Sequence, residues 1–144
     1  MDIPTVLSII RKNIHNIDSG GCGIAALSAI RWAEKNNIKS QIGIVFLYDS
    51  FEEEEMDKNC SLIENGHIKE AYTPSHIALL VDGEVIDSRG NWVLGRYDAC
   101  HSGVSPEELL ILINYGNWND WFVRKDSLPV IEELLDIDLS DIQL

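Results

Sequence analysis

The segment Gly20-Gly21-Cys22-Gly23, with the small residues Ala25, Ala26, Ala29 and Ala33 behind it, constrains the fold more than any other part of the chain. Apolar residues recur at helical spacing from Cys22 to about Asn36, while Arg31, Glu34 and Lys35 fall on another side, so the spacing predicts a helix. Alanines on the buried stripe let strands approach closely, which makes this the expected central helix of an α+β domain. The polar residues between His15 and Gly21 tolerate the tight turns that aim Cys22 at a cleft. A helix N-terminus presents unpaired N–H groups and the positive end of the macrodipole, a setting that favours thiolate over thiol. Cys22 is therefore read as a reactive thiol, against the alternative of a buried core cysteine. Cys60 and Cys100 lack this setting and are read as structural or incidental.

A second segment, Ser75-His76-Ile77-Ala78-Leu79-Leu80-Val81-Asp82-Gly83-Glu84-Val85-Ile86-Asp87, reads as a hairpin, because Asp-Gly between branched residues is a strong turn signal. With Asp82 and Gly83 as the loop, Val81 faces Glu84, Ala78 faces Asp87 and His76 faces Arg89. His76 and Asp87 then lie diagonally on one face, about 7–8 Å apart at Cα and within reach of an imidazole–carboxylate hydrogen bond. The competing reading has Asp87 capping the bend at Gly90. A thiol, an imidazole and a carboxylate in this order suit nucleophilic catalysis of acyl transfer.

Around these segments the pattern predicts a helix from Pro4 to about Asn13 capped by Asp2, and a buried strand from Gln41 to Tyr48. An exposed loop or short helix is expected over Ser50 to His67, where Glu52 to Glu55 form an acidic run, and loop character is expected from Gly90 to Gly103. Ser105 and Glu108 cap a helix reaching about Asn114, Trp118 to Val123 reads as a strand, and a last helix covers Pro129 to Leu135. The expected folded unit is residues 1–136, with 137–144 an acidic tail that either frays or docks.

At 144 residues the chain fits one domain with a real core. A net charge of −13 repels phosphate backbones and anionic lipid, which argues against nucleic acid and membrane surfaces as partners. A basic peptide fits that field, and solubility alone also accounts for it. Three cysteines cannot all pair internally, and the start Met1-Asp2-Ile3-Pro4 has no signal-peptide pattern, so a cytoplasmic, reducing compartment is expected. No apolar run approaches the ~18 residues of a membrane span. No CxxC or HxxxH spacing occurs among Cys22, Cys60, Cys100, His67, His76 and His101, so neither a metal nor another cofactor is expected.

Taken together, Cys22 opening a helix, His76 and Asp87 resemble the papain-like cysteine peptidase superfamily over roughly Asn16 to Trp92. The resemblance implies a compact papain-like fold, with the Cys22 helix on an antiparallel sheet, and a cysteine hydrolase acting on a peptide or amide. Those enzymes place a glutamine six positions before the nucleophile to build the oxyanion hole, and Asn16 stands at that offset here. Asn91-Trp92 resembles their Asn followed by Trp, so Asn91 competes with Asp87 as third member. The chain departs from the common Cys-Gly-Ser-Cys-Trp, reading Cys22-Gly23-Ile24-Ala25-Ala26, and is too short for two full lobes. Compact transglutaminase-like and arylamine acetyltransferase-like proteins, which use Cys, His and Asp, suit it better and imply acyltransfer as an alternative. A further alternative is a catalytically silent papain-like module that binds a protein partner through Trp92, Trp118 and Trp121.

Overall fold

A computed structural model of the protein describes residues 1–15, 17, 21–49, 52–91, 99–115 and 126–143. The first helix, α1 (Ile3–Asn13), starts where Asp2 Oδ1 accepts the Thr5 N–H at 2.9 Å, and it buries Val6, Leu7 and Ile10. The central helix, α2 (Cys22–Lys35), is buried along nearly its whole length from Cys22 to Ala33, as its alanine stripe requires. Behind it come β1 (Ile42–Tyr48), α3 (Glu53–Glu64) and a short 3-10 turn at Ile68–Glu70. The hairpin β2 (His76–Val81) and β3 (Glu84–Asp87) continues into β4 (Gly90–Asn91), then β5 (Ala99–Val104), α4 (Pro106–Tyr115) and α5 (Ser127–Leu135).

The strands form one five-stranded sheet in the order β4-β3-β2-β1-β5, and each adjacent pair is antiparallel. Alternation sorts the side chains to the two faces. Ile44, Phe46, Tyr48, Ile77, Leu79 and Ile86 join the main core with α1 and α2, whereas Val45, Leu47, Ala78 and Val85 form a smaller separate cluster. The hairpin register pairs Val81 with Glu84 and Leu79 with Ile86, as the Asp82-Gly83 turn predicts. Both turn residues carry positive φ, 49° and 89°, which Asp and Gly tolerate best.

Of the exposed loop or short helix expected for the acidic stretch, the structure has the helix, of 12 residues, since Met56, Asn59 and Ile63 all turn inward. Two other segments differ from the sequence reading. The stretch read as loop up to Gly103 contains β5, which pairs with β1. Its Ala-Cys-His-Ser-Gly composition hides a strand, and the register shift between Ile44 and Val45 is absorbed beside Gly103, at φ 89°. The other concerns the boundary at 136, beyond which the sequence allows an acidic tail either to fray or to dock. Leu139 and Ile142, 1% and 5% exposed, belong to the main core, so the C-terminal segment is docked rather than a separate tail. Arg31 grips Asp141 through two hydrogen bonds of 2.6 Å, and Asn114 donates to the Asp141 carbonyl at 3.0 Å. The predicted strand from Trp118 to Val123 lies outside the described residues.

Candidate active site

Cys22 is the first residue of α2, and the residue before it, Gly21, supplies no capping side chain. The N–H groups of this turn are those a helix leaves unpaired, so the thiol stands in a field of donors. Cys22 is 8% exposed, and with Ala25 and Ala26 of the same helix it lines a small cavity whose other wall is built from His76, Ile86, Asp87 and Ser88. Here the alanine stripe has a second consequence: small side chains let the strands come close enough for the hairpin to meet the helix terminus.

His76 opens β2 opposite Leu47 of β1, and Asp87 closes β3. Their side chains are 4–5% exposed and joined by a hydrogen bond of 2.7 Å between Nε2 and Oδ2. The diagonal placement read from the turn is what brings them together. His76 also faces Cys22 across the cavity that both residues line. Burial disfavours the charged ring, but the hydrogen bond to Asp87 and then the interaction with the Cys22 thiol outweigh it and push the His76 pKa up to about 9. The imidazole is therefore held as imidazolium at neutral pH, able to stabilise a thiolate and to give up a proton.

Asp87 does both things the sequence left open. Its Oδ2 meets His76, while Oδ1 accepts the Arg89 N–H at 2.7 Å, which is the cap of the bend. The Arg89 Nε also lies 3.7 Å from Oδ2. Arg89 was not singled out by sequence reasoning; the signal for its amide was an Asp two positions ahead of it at a turn.

The chain reaches His76 along a tethered path. Asn59 of α3, fully buried, donates to the Tyr48 hydroxyl at 2.9 Å and accepts the Tyr72 N–H at 2.7 Å. Ser75 N donates to Leu47 O at 2.9 Å, and its Oγ accepts the Asp49 N–H at 3.1 Å. Burial, partly offset by the Asn59 hydrogen bond, raises the Tyr48 pKa to about 12, so this hydroxyl stays neutral.

Cys60 and Cys100 stand on α3 and β5 and do not line the cavity, although Cys100 pairs with Leu47, the same residue that His76 pairs with from the other side. Burial and then the nearby Glu64 and Asp57 carboxylates push the Cys60 thiol up, away from thiolate. Asn16, Trp92, Trp118 and Trp121 lie outside the described residues, and Asn91 sits in β4 with its side chain outside them as well. Among the described residues no group of three or more His, Cys, Asp or Glu is arranged to hold a metal ion, and no helix is long and apolar enough to cross a membrane. No protein-family model, curated protein or solved structure matches the chain, and the case for its chemistry rests on Cys22, His76 and Asp87 themselves.

Proposed function

We propose that the protein is a cysteine-dependent hydrolase of papain-like type, a peptidase or amidase that cleaves a peptide or amide through a thioester on Cys22. The observation that carries this reading is the cavity shared by Cys22, at the open end of a helix, and the hydrogen-bonded pair His76 and Asp87. The Cys22 sulfur attacks the substrate carbonyl carbon and forms a tetrahedral oxyanion, which the Cys22 N–H receives; the papain-like resemblance assigns the second donor to Asn16. Collapse breaks the bond to the leaving group, and His76 gives it the proton it needs to depart as a neutral amine. His76, now neutral, takes a proton from water. The hydroxide formed attacks the thioester, releases the acid and restores the thiol–imidazole pair. Asp87 stays ionised throughout and orients the ring.

An amine in place of water gives acyl transfer, and the same residues serve both outcomes. A peptide or protein substrate of basic character matches the net charge of −13. The three cysteines are unpaired, which supports a reducing, cytoplasmic setting. The test is to mix the protein with p-nitrophenyl esters of acylated amino acids, quench in acid and map the adduct by mass spectrometry. An acyl group on Cys22, formed far more slowly in His76→Ala, supports the reading. Esters left intact by the wild type, with no adduct on Cys22, would remove it.

A further inference from the structure

We propose that Arg89 is a positioning residue for this site: its backbone amide and its guanidinium together hold the Asp87 carboxylate in the orientation that directs Oδ2 at His76. The inference rests on the hydrolase reading for its functional meaning, but not for its geometry. The two Asp87 oxygens have distinct work, Oδ1 on the Arg89 N–H at 2.7 Å and Oδ2 on His76 Nε2 at 2.7 Å. The Arg89 Nε, 3.7 Å from Oδ2, supplies a second point and a charge.

Cationic imidazole and guanidinium flank the Asp87 carboxylate on two sides. A carboxylate that is 4% exposed is favoured by each cation that meets it, since burial of an uncompensated charge is costly. The groups facing it among the described residues are His76 from β2, with Cys22 of α2 behind it, and Arg89 from the turn after β3. Arg89 is itself 40% exposed, so its aliphatic stem and head reach the carboxylate from the solvent side and cover it. That position suits a residue that fixes its neighbour without meeting the reacting atoms.

The variants are Arg89→Met, which keeps the backbone amide and the length but removes the charge, and Arg89→Lys, which keeps the charge. Two readouts follow orientation rather than folding: the far-downfield proton resonance of the His76 Nε2–H held by Asp87, and the acid limb of Cys22 carboxymethylation against pH. In Arg89→Met the downfield resonance should broaden into exchange, and the acid limb should move to higher pH by about half to one unit, because an imidazole less firmly held by Asp87 stabilises the thiolate less. Arg89→Lys should retain the resonance and most of the acid limb, and the melting temperatures of both variants should stay within about 4 °C of wild type. Retention of both signatures in Arg89→Met would overturn the proposal, as would their equal loss in both variants together with a collapse of melting temperature. Failure of the hydrolase reading is separate. It would appear as absence of an acyl adduct on wild-type Cys22 while the resonance and its dependence on Arg89 persist.

Discussion

Raising the pH from about 6 to about 10 takes the proton off His76, and the stability tied to that proton should go with it. The ring's pKa rises from an ordinary 6.5 to about 9 in the folded protein, with burial opposing the shift and the Asp87 hydrogen bond and the Cys22 thiol driving it. A group whose pKa is raised by folding contributes in full below the unfolded value and loses that contribution as the pH climbs through the folded one. The window therefore runs from 6.5 to about 9. At about 1.4 kcal/mol per pH unit, that interval caps the contribution at about 3 kcal/mol. The ring is 4% exposed, so solvent screening removes little of it. In a chain of this size about 3 kcal/mol corresponds to roughly 6 to 12 °C in Tm. With a net charge of −13 the whole molecule also resists alkaline conditions poorly, so the comparison must be internal. Wild type and His76→Gln, melted side by side in steps across this range, cancel the general repulsion. The gap between their Tm values should be widest below 6.5 and shrink as the pH passes about 9. Parallel curves across the window would refute the reasoning, and so would an NMR titration of the His76 ring with its midpoint near 6.5.

Two further outcomes follow from the packing. Leu139→Ala should cost about 3 kcal/mol and lower Tm by roughly 6 to 12 °C, because a Leu that is 1% exposed leaves a cavity in the main core; thermal melting with a loss below about 1 kcal/mol would show the C-terminal segment undocked. Asn59→Ala should cost about 2 to 3 kcal/mol by chemical denaturation, since two hydrogen bonds of the buried tether between α3, β1 and the approach to His76 are lost. Asp87→Asn should slow carboxymethylation of Cys22 by less than His76→Ala does, as the imidazole stays present but poorly oriented; an Asn variant as slow as the Ala variant would speak against separate roles for the two residues.

The parts of the fold that the sequence made legible are those governed by local rules. The alanine stripe after Cys22, the Asp82-Gly83 turn and the reciprocal cap of Ser105 and Glu108, with both hydrogen bonds at 3.1 Å, each carry their geometry in adjacent residues. The hairpin register was the decisive case, because it brought two polar residues eleven positions apart into hydrogen-bonding reach. What stayed hidden depends on partners distant in the chain. β5 is a strand because β1 lies beside it, not because Ala-Cys-His-Ser-Gly-Val favours one. Met56 and Ile63 are too few to mark α3 as amphipathic until a core is there to receive them. Alternating Asp and Ile or Leu after Leu135 resembled an exposed tail, yet Arg31, more than a hundred residues earlier, supplies the cation for Asp141. In the site, Arg89 was visible as a cross-strand neighbour of His76, but its hold on both oxygens of Asp87 required the actual turn.

The central claim is that His76 activates Cys22, and the most direct measurement is mass-spectrometric mapping of iodoacetamide labelling against pH on the native protein and on His76→Ala. In the wild type, Cys22 should label fastest of the three thiols at neutral pH although it is 8% exposed and Cys100 is the exposed one. In His76→Ala that advantage should vanish, with Cys22 falling behind Cys100. A Cys22 profile unchanged by His76→Ala, or a wild-type Cys22 that stays protected while Cys60 and Cys100 react, would contradict the account.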